Sequence, residues 1–413
     1  NFFMKKYVYG LFDVANSPFQ VLIISLIFSP YFANQIVGDP QIGSAYWQWT
    51  VGLCAIVVSI VGIKLGSFSD QIKSGRRNFF YISTLLCIFS TFFLWSCAPG
   101  TGNIFKCLAI FFIANFFYEL CQMFYNSYLF DFSEKNNRGF VSGLGFALGF
   151  IAIIPLLLLL INLFILPEQT FLNLDKSQFE HVRVVPVAVA IWFLIFSIPI
   201  FAFIQFTEPR PVTKKEDVQP LLSLVYHEKK ITNLGNFLIA RLFYADAIIA
   251  IQISFSIFVV KVLGLSVKEI FQLVIITSVI QALGAFIGGL LNDKIGSKLL
   301  IQYSLYVVLL TIIGLVSYQE RTVFIITFQI GAFFFGILQS ASRVFMTSFV
   351  SQSNLGQGFG LFTLASRSTA ILGPIMVGTI TYFTSLDFGF LSITVLVLAG
   401  IIMLRRVDVP KSY

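Results

Sequence analysis

Seven ionisable side chains interrupt otherwise apolar stretches of this chain: Asp13, Glu119 and Asp246 carry carboxyl groups, and Lys64, Arg241, Arg343 and Arg367 carry cations. A charge near the centre of a bilayer costs about 2.5–3.5 kcal/mol on insertion scales, so such groups must face protein or water rather than lipid. The chemistry they offer is non-covalent. Arg241, Arg343 or Arg367 can receive a carboxylate or another anionic group. Asp13, Glu119 or Asp246 can bind an amine or carry a proton, since a carboxyl group whose pairing changes also changes its proton affinity. Lys64 lies six residues before Asp70 and reads as a snorkelling anchor or gate. No nucleophile–base spacing, no phosphate-cradling Gly-x-x-x-x-Gly-Lys loop and no His-rich metal motif occurs, so neither an enzyme nor a cofactor is expected.

Polar residues follow the acids at helical spacing. Asp13, Asn16, Ser17 and Gln20 recur at i, i+3, i+4 and i+7; Asn115, Glu119, Gln122 and Asn126 form a second stripe. Arg241 and Gln252 share a face, whereas Asp246 is turned about 140° from Arg241 at the ideal period. Gln339 accompanies Arg343, and Thr363 and Ser366 accompany Arg367. Stripes of this kind predict an aqueous pathway between helices; the alternative is that the ions form fixed pairs holding the bundle together, for example Asp13 with an arginine of the opposite half of the chain. Pro18 removes a backbone donor and bends the first helix, which a membrane span tolerates when a neighbouring polar group satisfies the freed carbonyl.

The elements that position these groups follow from composition. The 413 residues are 57% hydrophobic and 11% charged, with 49 phenylalanines, far below the roughly one-quarter charged content of soluble domains. Apolar runs of about 20 residues, each long enough to cross a hydrocarbon core roughly 30 Å thick, recur about twelve times. Their expected starts are Tyr7, Ala45, Asn78, Ile104, Phe140, Val184, Asn236, Ile270, Lys298, Thr322, Gly358 and Phe388. Helices are required, because backbone amides in lipid need internal partners and the runs lack the alternation of barrel strands. The fold class is an all-α polytopic membrane protein.

The net charge of +8 points to topology rather than nucleic acid. Seventeen basic residues, among them Lys5, Lys6, Arg76, Arg77, Arg138, Arg210, Lys214, Lys215, Lys298 and Lys411, fall on the side of both termini, against six on the other. The positive-inside bias therefore predicts cytoplasmic termini. Trp47, Trp49 and Trp95 are expected at the outer interface. No cleavable signal pattern precedes the first span, and the five cysteines show neither metal nor disulfide spacing.

Two links repeat. In "GSFSDQIKSGRR" Gly66 precedes Asp70 by four residues, followed by Gly75, Arg76 and Arg77; in "GLLNDKIGSK" Gly289 precedes Asp293, followed by Gly296 and Lys298. The glycines allow close helix approach, and each aspartate can bond a neighbouring helix end or the following basic residues as a gating latch. A matched pair indicates duplication. The pattern resembles the signature loop of the major facilitator superfamily. That resemblance implies two pseudo-symmetric six-helix bundles, here residues 1–206 and 234–413, with a cytoplasmic linker at 207–233 and a cavity lined by helices 1, 4, 7 and 10. Within the linker, "QPLLSLVYHEKK" is expected to lie as an amphipathic helix on the anionic leaflet, with His227 exposed.

Four stretches narrow the resemblance: "LFDVANSPF", "VSGLGFALGFIA" from Val141, "FLIARLFYADAI" from Phe237 and "GLFTLASRSTAILGPIMVG" from Gly360. They look like the branch containing the vacuolar amino-acid effluxer of the autophagy machinery and its bacterial relatives, most specifically at Asp13, Ala15, Asn16 and Ser17 and at Ala240, Arg241, Tyr244 and Asp246. What it implies is secondary transport of a small polar or zwitterionic, amino-acid-like solute by alternating access, proton-coupled or facilitative, by a monomer among membrane lipids, in a bacterial inner membrane rather than an organelle. An exporter of amphipathic drugs, lipids or organic anions and a non-transporting receptor are the competing readings.

Overall fold

The computed structural model describes residues 2–205, 221–261, 264–265, 267–318, 320–367 and 372–408. Among the described residues, twelve helices are long and apolar enough to cross a membrane: α1 (Lys5–Val37), α2 (Pro40–Asp70), α3 (Gly75–Ser96), α4 (Thr101–Phe132), α5 (Arg138–Ile165), α6 (Glu180–Gln205), α7 (Asn233–Gln252), α8 (Glu269–Ile295), α9 (Ser297–Ser317), α10 (Arg321–Met346), α11 (Leu355–Phe383) and α12 (Leu386–Arg405). Each starts within five residues of its sequence expectation. The chain is a multi-pass integral membrane protein of two related six-helix bundles. Faces such as Ile82, Leu85 and Phe89 on α3, or Ile191, Ile195 and Ile198 on α6, are apolar and exposed, as a lipid-facing surface requires.

Pro18 acts where it was expected to. Lacking an N–H, it leaves the Val14 carbonyl without its helical donor, and the Trp192 indole of α6 supplies one at 2.9 Å. From Phe19 to Leu26 the helix continues in the wider π form, a distortion common at functional sites.

Three expectations need correction or limitation. Trp47 is not interfacial: it is 1% exposed, its indole donates to the Ile24 carbonyl, and it stacks on Phe111 with centroids 3.6 Å apart. Trp49 is exposed. The amphipathic linker helix ends after one turn, Leu221–Val225, because Thr232 takes the Leu224 and Val225 carbonyls. Tyr226–His227 then pairs with Lys230–Ile231 through a tight turn with positive φ at Glu228 and Lys229; His227 is exposed there. Gln219 and Pro220, together with Arg210, Lys214, Lys215 and Lys411, lie outside the described residues.

The bundles meet on the face that carries both termini, through two crossings of one design. At α2–α11, a Cβ on Gly66 would lie 2.2 Å from the Gly356 carbonyl oxygen. At α5–α8, a Cβ on Gly289 would lie 2.6 Å from the Gly139 carbonyl oxygen. Only glycine permits such backbone contact. Four residues beyond each glycine, an aspartate caps the partner helix. Asp70 accepts from the Gly356 and Gln357 amides, both at 3.0 Å. Asp293 accepts from Gly139 and Phe140 at 2.7 and 2.8 Å. These are the second and third residues of α11 and α5, where helix N–H groups lack internal partners and the dipole favours an anion.

The basic residues of the repeated loops act elsewhere. Arg76 pairs with Asp131 of α4 at 2.7 Å, tying α3 to α4 within one bundle. Lys298 donates to the Val407 and Arg405 carbonyls at the end of α12. Arg77 is half-buried. Lys64 is exposed, as an anchor would be.

Replacing Asp70 or Asp293 by Asn removes the charge and one of two amide bonds. With hydrogen bonds to charged groups contributing about 1.5–3 kcal/mol, each variant should raise the ratio of open to closed at the terminal face by at least about tenfold. Spin labels on Lys73 and Gln352, read as a distance distribution, check this.

Candidate functional site

Above the latches, ionic groups of the two bundles converge. Asp13 of α1 places Oδ2 3.3 Å from both Nη1 and Nη2 of Arg343 on α10, and the Tyr125 hydroxyl donates to the same oxygen at 2.7 Å. Arg343 also donates through Nε to the Ser142 hydroxyl at 2.9 Å and through Nη2 to the Ser142 carbonyl at 2.7 Å. Nη1 reaches Asn126 Oδ1 at 3.4 Å. The guanidinium lies 4.1 Å from the Phe146 ring centroid, a cation–π contact strengthened by desolvation. Exposure is 2% for the arginine and 5% for the aspartate side chain. Gly145 makes room, since a Cβ there would meet Asp13 Oδ2 at 2.3 Å. The glycine run of α5 is thus a packing feature around a buried ion pair.

A second inter-bundle pair is wetter. Glu119 of α4 binds Arg367 of α11 in bidentate fashion, Oε1 to Nη2 at 2.8 Å and Oε2 to Nε at 3.1 Å. Here the arginine side chain is 30% exposed.

Arg241 of α7 differs from both. Its Nε donates to Ser366 at 3.0 Å, and Nη2 reaches Gln339 at 3.4 Å; the Phe362 and Tyr244 rings flank it. It is 7% exposed, and Nη1 is buried without a hydrogen-bond partner. Among the described residues no carboxylate pairs with it.

These groups border connected spaces. A cavity of about 440 Å³ runs from Asp13, Asn16 and Gln281 past Gln20 to Ser25 and to Ile270 at the start of α8. Sharing Gln20, Gln122 and Gln339 with it, a polar recess of about 150 Å³ lies between Glu119, Gln122, Arg241, Gln339, Arg343 and Arg367. An apolar recess of about 180 Å³ inside the second bundle is walled by Ile248, Ile251, Val308, Ile312, Phe328 and Phe335. Gln252 borders all three. Asn16 and Gln122 are hydrogen-bonded to each other at 2.9 Å, and Tyr118 contacts Gln122 and Gln20.

Of the sequence candidates, Asp13, Asn16, Gln20, Glu119, Gln122, Arg241, Gln252, Arg343 and Arg367 are thereby brought together. Asn115 is buried away from these linings. Tyr244 turns its hydroxyl to Ser342 at 2.8 Å. Asp246 is 2% exposed and caps the second segment of α11, accepting from the Gly373 amide at 2.9 Å; the 140° turn from Arg241 carries it out of the cavity. Sequence reading passed over Tyr118, Tyr125, Ser142 and Phe146. Tyr118 and Tyr125 flank Gln122 at helical spacing, which a stripe search admitting tyrosine would have found.

Two related bundles of six helices, latched at one face around a charged central cavity, define a transporter of the major facilitator superfamily. The family described as "Vacuole effluxer Atg22 like" matches residues 35–413, and the chain belongs to that family. Similar relatives are the uncharacterised MFS-type transporter YxiO of Bacillus subtilis, 22% identical over 97% of this chain and 94% of its own length, and autophagy-related protein 22 of Vanderwaltozyma polyspora, 23% identical over 98% and 82%. Among solved structures, the proton:xylose symporter XylE aligns with a TM-score of 0.78 at 13% identity, covering 98% of this chain and 96% of that one. A bacterial homologue of the iron transporter ferroportin in an outward-facing state aligns at 0.73 with 10% identity, over 98% and 99%. These likenesses show the fold.

Breaking a buried ion pair by deleting one partner costs about 3–5 kcal/mol, whereas removing both charges is often near neutral. Arg343→Met should therefore lower stability more than the Asp13→Asn/Arg343→Met double variant, which should recover at least about half the loss. Unfolding in detergent, followed by denaturant titration, distinguishes the two.

Proposed function

We propose that the chain moves a small zwitterionic, amino-acid-like solute by alternating access, its carboxylate received by Arg241 and its ammonium by Glu119. The observation that carries this reading is Arg241, which borders the polar recess and whose buried Nη1 has no hydrogen-bond partner among the described residues. Leaving such a donor unsatisfied costs more than for a neutral group, and a bound carboxylate would remove that cost with a charge-assisted bond. Glu119 borders the same recess. The apolar recess beyond Ile248 and Gln252 offers room for an apolar substituent.

The described closure on the terminal face is one of the two states such a cycle needs; the other requires the latches and both ion pairs to part. Asp13 is the leading candidate for a proton site, because its charge is what holds Arg343. The distribution of lysine and arginine supports cytoplasmic termini, and residues 1–206, 207–233 and 234–413 serve as first bundle, linker and second bundle. The protein acts as a monomer in a bacterial inner membrane. One observation favours a second reading: Glu119 is already paired, so Arg241 alone could hold an organic anion.

Purified protein in proteoliposomes, offered a panel of amino acids, organic anions and hydrophobic cations, tests the assignment. Arg241→Gln should weaken binding of the preferred solute at least about tenfold, and Arg241→Lys less, since an ammonium keeps the charge but loses the planar fork. Unchanged affinity in Arg241→Gln would overturn the reading. Under an imposed pH gradient, accumulation should fall to the exchange level in at least one of Asp13→Asn, Glu119→Gln and Asp246→Asn. Full accumulation in all three would exclude proton coupling through these groups.

A further inference from the structure

We infer that the Glu119–Arg367 pair is a lock that the solute's ammonium must open, so that a solute carrying only a carboxylate binds without driving the conformational switch. This inference rests on the proposed seating of the carboxylate at Arg241. Both members of the pair border the polar recess. Arg241 is connected to the same segment of α11, through Ser366, the residue next to Arg367.

Of the two ion pairs that join the bundles among the described residues, only this one can exchange partners while the terminal face stays closed. Arg343 is 2% exposed and spends its donors on Asp13, Ser142 and Asn126. Removing its carboxylate would strand a guanidinium in a dry site, which is strongly unfavourable. Arg367 is 30% exposed, so water can take over its donors when Glu119 turns to another cation. A solute ammonium at Glu119 therefore costs little beyond the exchange itself.

The exchange matters because the bond it replaces runs from α4 to α11, bundle to bundle. While Glu119 and Arg367 hold each other bidentately, they fix the spacing of those helices at mid-cavity. A ligand shifts a conformational equilibrium only by its differential affinity for the two states. A carboxylate on Arg241 alone leaves the α4–α11 bond intact and gains nothing from the switch. A zwitterion turns that bond into a solute contact and releases the constraint. Selectivity for zwitterions thus arises at the switching step, not at binding.

Leucine and its deaminated skeleton, 4-methylpentanoate, differ by the ammonium group alone and serve as probes. Full-length protein labelled on Lys73 and Gln352 reports opening of the terminal face, and displacement of radiolabelled leucine reports binding. We expect 4-methylpentanoate to displace leucine, but leucine alone to raise the open population, by at least about fivefold. In Glu119→Gln the lock is absent, and the two ligands should differ by less than about 1.5-fold. Arg367→Gln removes the lock from the other side while keeping the ammonium site. It should abolish the same discrimination and lower the concentration of leucine needed for half-saturation, an effect that general destabilisation of the bundle would not produce. Equal opening by both ligands in the unsubstituted protein, or leucine binding without opening, would overturn the lock and leave the Arg241 site standing. Absence of binding by either probe would instead remove the reading on which the lock rests.

Discussion

A carboxylate and a guanidinium from opposite bundles, buried against each other, constrain everything around them. Asp13 and Arg343 are almost completely removed from solvent, and the desolvation of two ions is repaid only when geometry and accessory hydrogen bonds are good. Each neighbour is explained by that requirement. Tyr125 and Ser142 complete the shell, Phe146 supplies an aromatic face, and Gly145 provides the missing volume. As the partners belong to α1 and α10, satisfying them holds the bundles together at this level and seals the cavity toward the termini.

The latches below act differently. Their aspartates bond backbone amides rather than cations, so their strength derives from helix ends and from glycines thin enough to let backbones touch. Gly356 and Gly139 occupy the same position in α11 and α5, each donating an amide to the aspartate of the opposite bundle. The twofold repetition explains how duplication yields a symmetrical clamp from one local solution. These bonds are partly buried or at the protein edge, where water can replace them. Closure therefore combines one dry interaction with several replaceable ones, suiting a state that must be left as well as reached.

Much of this was legible because membrane insertion imposes strong rules. Span number and approximate limits followed from hydrophobic length, the polar stripes of α1 and α4 from helical spacing, and the paired loops from their common spacing. Partner choice was legible only in kind: a pairing of Asp13 with an arginine of the opposite half was foreseeable, but which arginine was not. Asp13, Glu119 and Asp246 are alike as intramembrane acids, yet the first two meet arginines and the third caps a helix segment at Gly373. Which occurs depends on helix rotation and on which bundle faces it. For the same reason the loop aspartates could not be assigned between helix ends and basic residues. Trp47 was misread because tryptophan near a span end fits an interface as well as a core, and only the packing of Phe111 decides between them.

The three cavity arginines form a graded series that protonation cannot explain, since a guanidinium stays charged throughout the accessible pH range. Arg343 has a carboxylate and further acceptors in a dry shell. Arg367 has a carboxylate but remains wet. Arg241 has only neutral acceptors and one idle donor. An incoming anion would have to displace existing carboxylates at the first two, whereas at Arg241 it meets a cation already desolvated and paired with no carboxylate among the described residues. Where a ligand gains most is thus set less by where positive charge lies than by where the fold has left it unanswered.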